Sequence, residues 1–464
     1  MEILLKRYSQ SGDYADIFRY NYEVISRIQD DDLLNKFVLM ISSILKIDYQ
    51  VILVDLKRYL MISQEYYPHN IQKKCLHYFL LPYFVFRNIV NSFHYARIKH
   101  SDIIIDSWYP DSLDTFYGQE LIGKLLKKYR CIVLNFMNLK SIDFIDFFRY
   151  FPEFIRCFLF SLLIIKKHGI DLRRYTFSLF FDFLRGRFVK SHYKPRMIIS
   201  GNDNGLSVIK SKASGAGMFL IQNGLRDYSA DSSFKYADHY VSMGEKCVIN
   251  MRQETGCIFK NIYTFGSLRL HNFLSGSGDL ESDILYDVLW VSTYNLFDNE
   301  NIASKSGYCS MDSYYSAIRL INGLALNNPY RVAFQCRYER EVEDLRKLGL
   351  FCERIIYINN LQKSVYQSVL ESDIILTAVS TVSLEAMALK KKIGLINLSD
   401  NRILNHVYRG LGIEYNLNSR ITLEEFIESL RNKVLNFKDY IRQDPCYAED
   451  LLGAVARGTI RTER

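Results

Sequence analysis

From Pro195 onward, short apolar runs and helical stretches take turns along the chain, and they do so in two series. In the first, "PRMIIS", "AGMFLIQNG", "YADHYVSMG" and "NIYTFGS" have the length and bounding Gly and Asn residues of buried strands, and "LSVIKSKASG" and "EKCVINMRQETG" separate them as helices. The second series sets "DVLWVST", "YRVAFQC", "RIIYIN", "DIILTAV" and "KIGLIN" against "DSYYSAIRLINGLALN", "EREVEDLRKLG", "SVYQSVLES" and "TVSLEAMALK". Between the two lies "LSGSGDLESD" (Leu274 to Asp283), a small polar break. Strand and helix in strict alternation demand parallel sheets. The expected architecture is therefore α/β, with two Rossmann-like parallel-sheet domains facing a cleft, residues 1–275 and 276–464. Ligands of such folds bind at the carboxyl ends of the strands. Ahead of Pro195, "YQVILVDL", "SDIIIDSW" and "YRCIVLNF" read as strands, and Ser141 to Lys190 as two long helices. This gives the first domain a helix-rich N-terminal elaboration. The tail from Ile421 to Arg442 reads as a helix pair belonging to the second domain.

Hydrophobic residues make up 48% of 464, which excludes global disorder. The formal net charge of +8 is spread thinly. It suits anionic small molecules or an anionic membrane face, and no Lys/Arg stripe argues for nucleic acid. The nine cysteines are odd in number, scattered and without C-x-x-C. They read as reduced thiols of a cytoplasmic protein. The N-terminus shows no signal-peptide pattern. "CLHYFLLPYFVF" (Cys75 to Phe86) and "CFLFSLLII" (Cys157 to Ile165) fall well short of the roughly 20 residues of a spanning helix. "FFRYFPEFIRCFLFSLLIIKK" alternates apolar residues with Arg149, Arg156, Lys166 and Lys167. A core helix of the first domain is the preferred reading, and an interfacial helix on anionic lipid is the alternative.

Ser380 and Thr381 stand where "DIILTAV" ends and a helix begins. A helix N-terminus offers unpaired N–H groups and partial positive charge, which suit a phosphate. Glu385, one turn in, is itself an anion and suits ribose hydroxyls. An ordinary capped helix, with Ser or Thr as cap and Glu in the first turn, accounts for the same spacing.

"STVSLEAMALKKKIGLIN" resembles the Ser-Thr-x-x-x-Glu-Ala element of GT-B glycosyltransferases, bacterial surface-polysaccharide enzymes in particular, with Lys392-Ile393 in place of the commoner Lys-Pro. "MFLIQNGLRDYSA" is similar to a Gln-His-Gly strand-loop of the same class, with Asn223 where His is commoner. "IYTFGSLRLHNF" resembles the segment that closes the first domain. The resemblance covers about Pro195 to Asn397. It implies a metal-independent glycosyltransferase with no cofactor, using a nucleotide sugar as donor and a glycan or lipid-linked molecule as acceptor. Such an enzyme of capsule or O-antigen assembly works in the cytoplasm, with peripheral contact at the inner membrane a further expectation. Ser380, Thr381, Glu385, Gly266, Ser267 and Arg337 are the implied nucleotide-side residues, although "AFQCRYERE" lacks the His-Pro pair of CMP-linked relatives. Asn223, Gly224 and Arg226 are implied on the acceptor or donor-sugar side, a surface salt bridge being the plainer role for Arg226.

Inverting transfer needs a general base. Asp203 in "SGNDNG" directly follows a strand and is the candidate, although a Gly/Asn/Asp turn explains the same residues. No D-x-D is suitably placed, and "DDD" at Asp30 to Asp32 reads as a helix cap. Walker, G-x-S-x-G and H-E-x-x-H motifs are absent. Two other readings stay open: a non-catalytic two-domain binding or scaffold protein, and a nucleotide-sugar epimerase.

Overall fold

The computed structural model describes residues 14–66, 100–107, 116–136, 138–203, 207–224, 233–276, 282–294, 311–378, 380–398, 408, 410–416, 418–434, 438–442 and 447–461. Three helices lead: α1 (Tyr14–Ser26), α2 (Asp32–Leu45) and α3 (Tyr49–Tyr66). Asp31 of the acidic run caps α2, its carboxylate accepting from the Leu33 and Leu34 amides. There follow β1 (Ile103–Asp106), α4 (Gln119–Lys128), β2 (Cys131–Leu134), α5 (Phe144–His168), α6 (Arg173–His192) and β3 (Met197–Ser200). The alternating part continues with α7 (Val208–Ser214), β4 (Gly217–Ile221), β5 (Tyr236–Ser242), α8 (Glu245–Glu254), β6 (Ile258–Thr264) and α9 (Leu268–Gly276).

The second series runs β7 (Tyr286–Val291), α10 (Met311–Asn327), β8 (Val332–Gln335), α11 (Glu341–Lys347), β9 (Ile356–Ile358) and α12 (Val365–Leu370). It goes on with β10 (Ser372–Thr377), α13 (Thr381–Ala388), β11 (Lys392–Asn397), β12 (Glu414–Asn416), α14 (Leu423–Arg431) and α15 (Tyr447–Arg461).

Two six-stranded sheets result, ordered β2-β1-β3-β4-β5-β6 and β12-β11-β10-β7-β8-β9. Every pairing is parallel. The chain is thus α/β with two Rossmann-like halves. The second sheet has the doubly wound order in which strand direction of travel reverses between β7 and β10. In the first, the reversal falls between β1 and β3. Strands buried on both faces explain the unbroken apolar runs: Ile103, Ile198, Phe219, Leu289, Ile375 and Leu395 are all fully buried.

One face of the first sheet is covered by α2, α3, α5, α6 and α7. The other face carries α4 and α9, and also α15: Tyr447, Leu451, Ala454 and Val455 join Ile103, Met197 and Phe219 in one core. The tail assigned by sequence to the second domain therefore returns to the first sheet. Of the expected helix pair, α14 is present among the described residues, and it packs on β10 and β11. "YQVILVDL" is likewise helical, not a strand, lying within α3. Its Val and Ile residues suit either state, and packing decides it: Val51, Ile52, Leu53, Val54, Leu56 and Leu60 all join the core formed by the helices of the first half. The expected core helix α5 buries one side only. Half of the "LSGSGDLESD" break, residues 277–281, and all of "CLHYFLLPYFVF" lie outside the described residues.

Residues 438–442 run against the carboxyl ends of β5 and β6, with the Arg442 amide bonded to the Met243 carbonyl at 3.0 Å and the Lys246 amide to the Asp439 carbonyl at 2.9 Å. A Cβ at Gly244 would lie 2.0 Å from the Tyr440 carbonyl oxygen, and one at Gly266, where φ is +90°, 2.5 Å from that of Arg442. Backbone meets backbone here, so neither neighbour can swing aside. Gly244→Ala and Gly266→Ala are each expected to cost about 1–3 kcal/mol. Gly323→Ala in α10, with nothing within 4 Å, should instead stabilise by about 0.5–1 kcal/mol. Urea denaturation of the three variants checks the contrast.

Candidate functional site

The two halves meet through the carboxyl ends of their strands. Ser267 follows β6, and Glu385 lies on α13, which follows β10. The Ser267 hydroxyl donates to Glu385 Oε1 at 2.5 Å across the junction. Glu385 is only 1% exposed. The Tyr366 hydroxyl of α12 lies beside the carboxyl, and the Arg269 guanidinium is the nearby cation. Burial pushes the Glu385 carboxyl above its ordinary range, and the Ser267 hydroxyl and Arg269 oppose that shift without cancelling it. Burial beside this carboxyl likewise holds the Tyr366 hydroxyl well above its usual value.

Arg269 carries the cluster on to the loop after β4, donating to the Asn223 carbonyl oxygen at 2.8 Å. Gln222 braces this loop through its side-chain amide, which donates to the Gly224 carbonyl at 2.8 Å. Four elements thus converge: the β4 loop, the start of α9, α12 and α13. Ser267, Glu385, Asn223 and Gly224 lie together in this cluster. Arg269 and Tyr366 were missed. Arg269 lay in plain view two residues after Ser267, within the same quoted segment, whereas nothing local marks Tyr366.

Ser380 is the N-cap of α13, its hydroxyl accepting from the Val382 amide at 3.2 Å. Thr381 is half-buried in the first turn. The capping role assigned to this pair is present. It does not use up the end of the helix, which sits at the strand reversal between β7 and β10, where doubly wound sheets open their crevice. Gly266 is placed under the Arg442 carbonyl and serves close packing.

Arg337 follows β8 and is exposed. Its amide donates to Glu341 Oε2 at 2.8 Å, and its guanidinium lies 5.4 Å from the Tyr338 ring centroid. Glu341 is fully buried and also takes the hydroxyls of Ser292 and Tyr314. Burial raises its pKa. This carboxyl, which shapes the loop carrying Arg337, was not singled out from sequence. Arg226 lies outside the described residues.

Asp203 differs from its expected place. It was nominated as a base pointing into the cleft. Instead it is buried on the helix-covered face of the first sheet, where Oδ2 takes Lys235 Nζ at 3.3 Å and the Tyr240 hydroxyl at 3.0 Å. Both side chains of the ion pair are almost fully enclosed, at 2% and 0%. Following a strand directly therefore did not aim the carboxylate at the second half. Asp203 and Lys235 help line a cavity of about 230 Å³ beneath α3 and α6, with Asp55, Arg58 and Asp182. Asp55 faces that cavity, and burial pushes its carboxyl up to about 7, with the Asp182 carboxylate adding to the shift.

No protein-family model matches the chain, and no curated protein matches it. Solved structures similar to it include the wall teichoic acid polymerase TagF, at 12% identity over 78% of this chain and 89% of that one, with a TM-score of 0.42. Another is the UDP-GlcNAc 2-epimerase from Neisseria meningitidis bound to UDP-GlcNAc, at 13% identity, 76% and 99% coverage and a TM-score of 0.44. The S. aureus MnaA–UDP structure stands at 12% identity, 76% and 95% coverage and a TM-score of 0.44. With TM-scores below one half, these leave the fold to be read from the strand orders above.

A buried charge loses far more when its partner is removed than the pair contributes when intact. Asp203→Asn removes the carboxylate that faces the buried Lys235 ammonium and is expected to cost about 3–5 kcal/mol. Adding Lys235→Met should recover a large part of that loss. Chemical denaturation of the single and double variants measures both, and an Asp203→Asn protein of unchanged stability would contradict the pairing.

Proposed function

We propose that the chain transfers a sugar from a nucleotide-activated donor to a growing surface polysaccharide or lipid-linked glycan. The observation that carries this reading is the meeting of two quoted motifs, one from each half, through Ser267 and Glu385 at the carboxyl ends of two parallel sheets. The nucleotide lies at the second half. Its phosphates sit against the N-terminus of α13, with Ser380 and Thr381, where the helix dipole and amides stabilise the charge of the leaving group. Its ribose reaches Glu385. That carboxyl is already held by the Ser267 hydroxyl, with the Tyr366 hydroxyl beside it, the same kind of group that a ribose offers. Arg337 supplies a cation from the neighbouring loop, and Asn223 and Gly224 approach from the first half. Asp203 takes no part in the chemistry, because Lys235 and Tyr240 hold it.

Calorimetric titration with UDP, GDP and CMP, followed by product analysis with donor alone, tests this. Nucleotide binding without turnover of the donor alone is the expected result. Conversion of the sugar in the absence of acceptor would mean epimerase chemistry, and no response to any nucleotide would mean a binding or scaffold protein.

Two variants divide the site. Thr381→Ala should weaken nucleotides about two- to tenfold and leave nucleosides unaffected, by the free energy of one hydrogen bond. Glu385→Gln should weaken both alike.

The same variant has a stability signature. The folded state holds the Glu385 proton more tightly than the unfolded chain, whose carboxyl has the ordinary value of 4.5. Stability from this group is therefore full below that value and declines as pH rises through the folded pKa. Glu385→Gln removes the decline, so its thermal stability should vary less with pH in the weakly acid range. A flattened profile with unchanged nucleoside affinity would reduce Glu385 to a tie between the halves.

A further inference from the structure

Helix α5 is 25 residues long and has two unlike faces. Phe147, Phe154, Cys157, Ile164 and His168 are buried against the helical layer. The opposite side is open. Phe144, Ile145, Phe148, Leu159 and Leu163 are 55, 76, 57, 56 and 54% exposed. Ile155 and Leu162, at 39%, fill the gaps between them. At 3.6 residues per turn these side chains fall within one arc of roughly 100°. The row runs nearly the whole helix, about 30 Å. Single exposed apolar residues are ordinary on a protein surface, but a continuous row of this length marks an interaction face.

The charges on the helix are sorted with equal clarity. Its remaining exposed residues are Pro152 and four cations, Arg149, Arg156, Lys166 and Lys167. Arg149, Arg156 and Lys167 line one edge of the apolar arc, and Lys166 sits within it near the C-terminal end. None of the helix's exposed residues is a carboxylate. Asp146 lies toward the protein and takes Arg187 at 3.2 Å, while Glu153 is partly buried and 3.8 Å from Arg156. The chain as a whole carries +8. No helix among the described residues is long and apolar enough to cross a membrane. A helix with Phe and Leu on one arc and Lys and Arg along its edge instead lies flat in the headgroup region, where long cationic side chains reach phosphates while their stems stay in the apolar zone.

We propose that this face of α5 seats the protein on a bilayer surface bearing anionic headgroups, with the helix axis parallel to the membrane plane. The apolar row enters the headgroup boundary, and Arg149, Arg156, Lys166 and Lys167 meet the lipid phosphates. The proposal is independent of the nucleotide site.

The test is sedimentation of the full chain with vesicles. Binding is expected to mixed phosphatidylglycerol and phosphatidylcholine vesicles, to weaken as salt is raised, and to be slight with phosphatidylcholine alone. The triple variant Arg149→Glu, Arg156→Glu, Lys167→Glu should lower partitioning at least on the order of a hundredfold. Phe148→Ser with Leu159→Ser and Leu163→Ser should abolish it. Both variants alter exposed positions only and should keep the parent melting temperature. Leu159→Trp should shift its fluorescence to the blue when anionic vesicles are added. Three results would overturn the proposal. One is equal partitioning of the charge-reversed variant. Another is a lipid-free dimer that the serine variant dissolves, which would make a second copy the occupant. The third is no binding to any vesicle together with a monomer, which would mean the chain covers the face itself.

Discussion

Every strand pairing in both sheets is parallel, and much else follows from that constraint. A parallel pair cannot be closed by a tight turn, so each connection must travel back across a face of its sheet. The faces become covered, the strands become apolar throughout, and the loops that follow the strands collect at the carboxyl ends. Ser267, Asn223, Arg337 and the start of α13 all lie on such loops or helix starts. The site is thus a consequence of direction: two sheets that present their carboxyl ends to each other place several loops from distant parts of the chain in one crevice.

Two contacts set how the ends face each other. The first is polar, the buried Ser267–Glu385 bond. The second is steric, the passage of residues 438–442 against Gly244 and Gly266, which have no Cβ to block it. That passage then delivers the chain to α15, which closes the outer face of the first sheet. The C-terminal helix therefore ties the second half back to the first, and the loss of either glycine strains the crossing that lets it do so.

Much of this could be read from the chain. Runs such as "MIIS", "GMFLI" and "DIILT" are short, apolar and bounded by turn residues, and they are strands because parallel burial needs such runs. "YQVILVDL" has the same composition and is a helix. The two states differ there only in what the side chains pack against, and a local pattern cannot report that. Ser380 and Glu385 were singled out by spacing and resemblance, but the partner of Glu385 lies 118 residues away. Asp203 was found as well, and its role was misjudged, because Lys235, 32 residues on, decides where its carboxylate goes. The apolar side of α5 was legible as amphipathic. Its exposure was not, since a core helix and an interfacial helix share the same period.

Three buried carboxyls show how partner chemistry separates structure from function. Asp203 is held by an ammonium and a tyrosine hydroxyl. Removing one member of such a pair from a dry setting is costly, so a neutral ligand hydroxyl is a poor substitute for the ammonium. Glu341 and Glu385 are held by hydroxyls, and burial leaves both with raised proton affinity. A hydroxyl partner is neutral, so exchanging it for another hydroxyl leaves no charge behind, and the net change is that of one hydrogen bond for another. Glu341 has both oxygens engaged within its own half, by Ser292, Tyr314 and the Arg337 amide, and is enclosed there. Glu385 takes its Ser267 bond from the opposite half, at the seam between the two sheets. Of the three, it is the carboxyl whose present partners a sugar hydroxyl can replace at least cost.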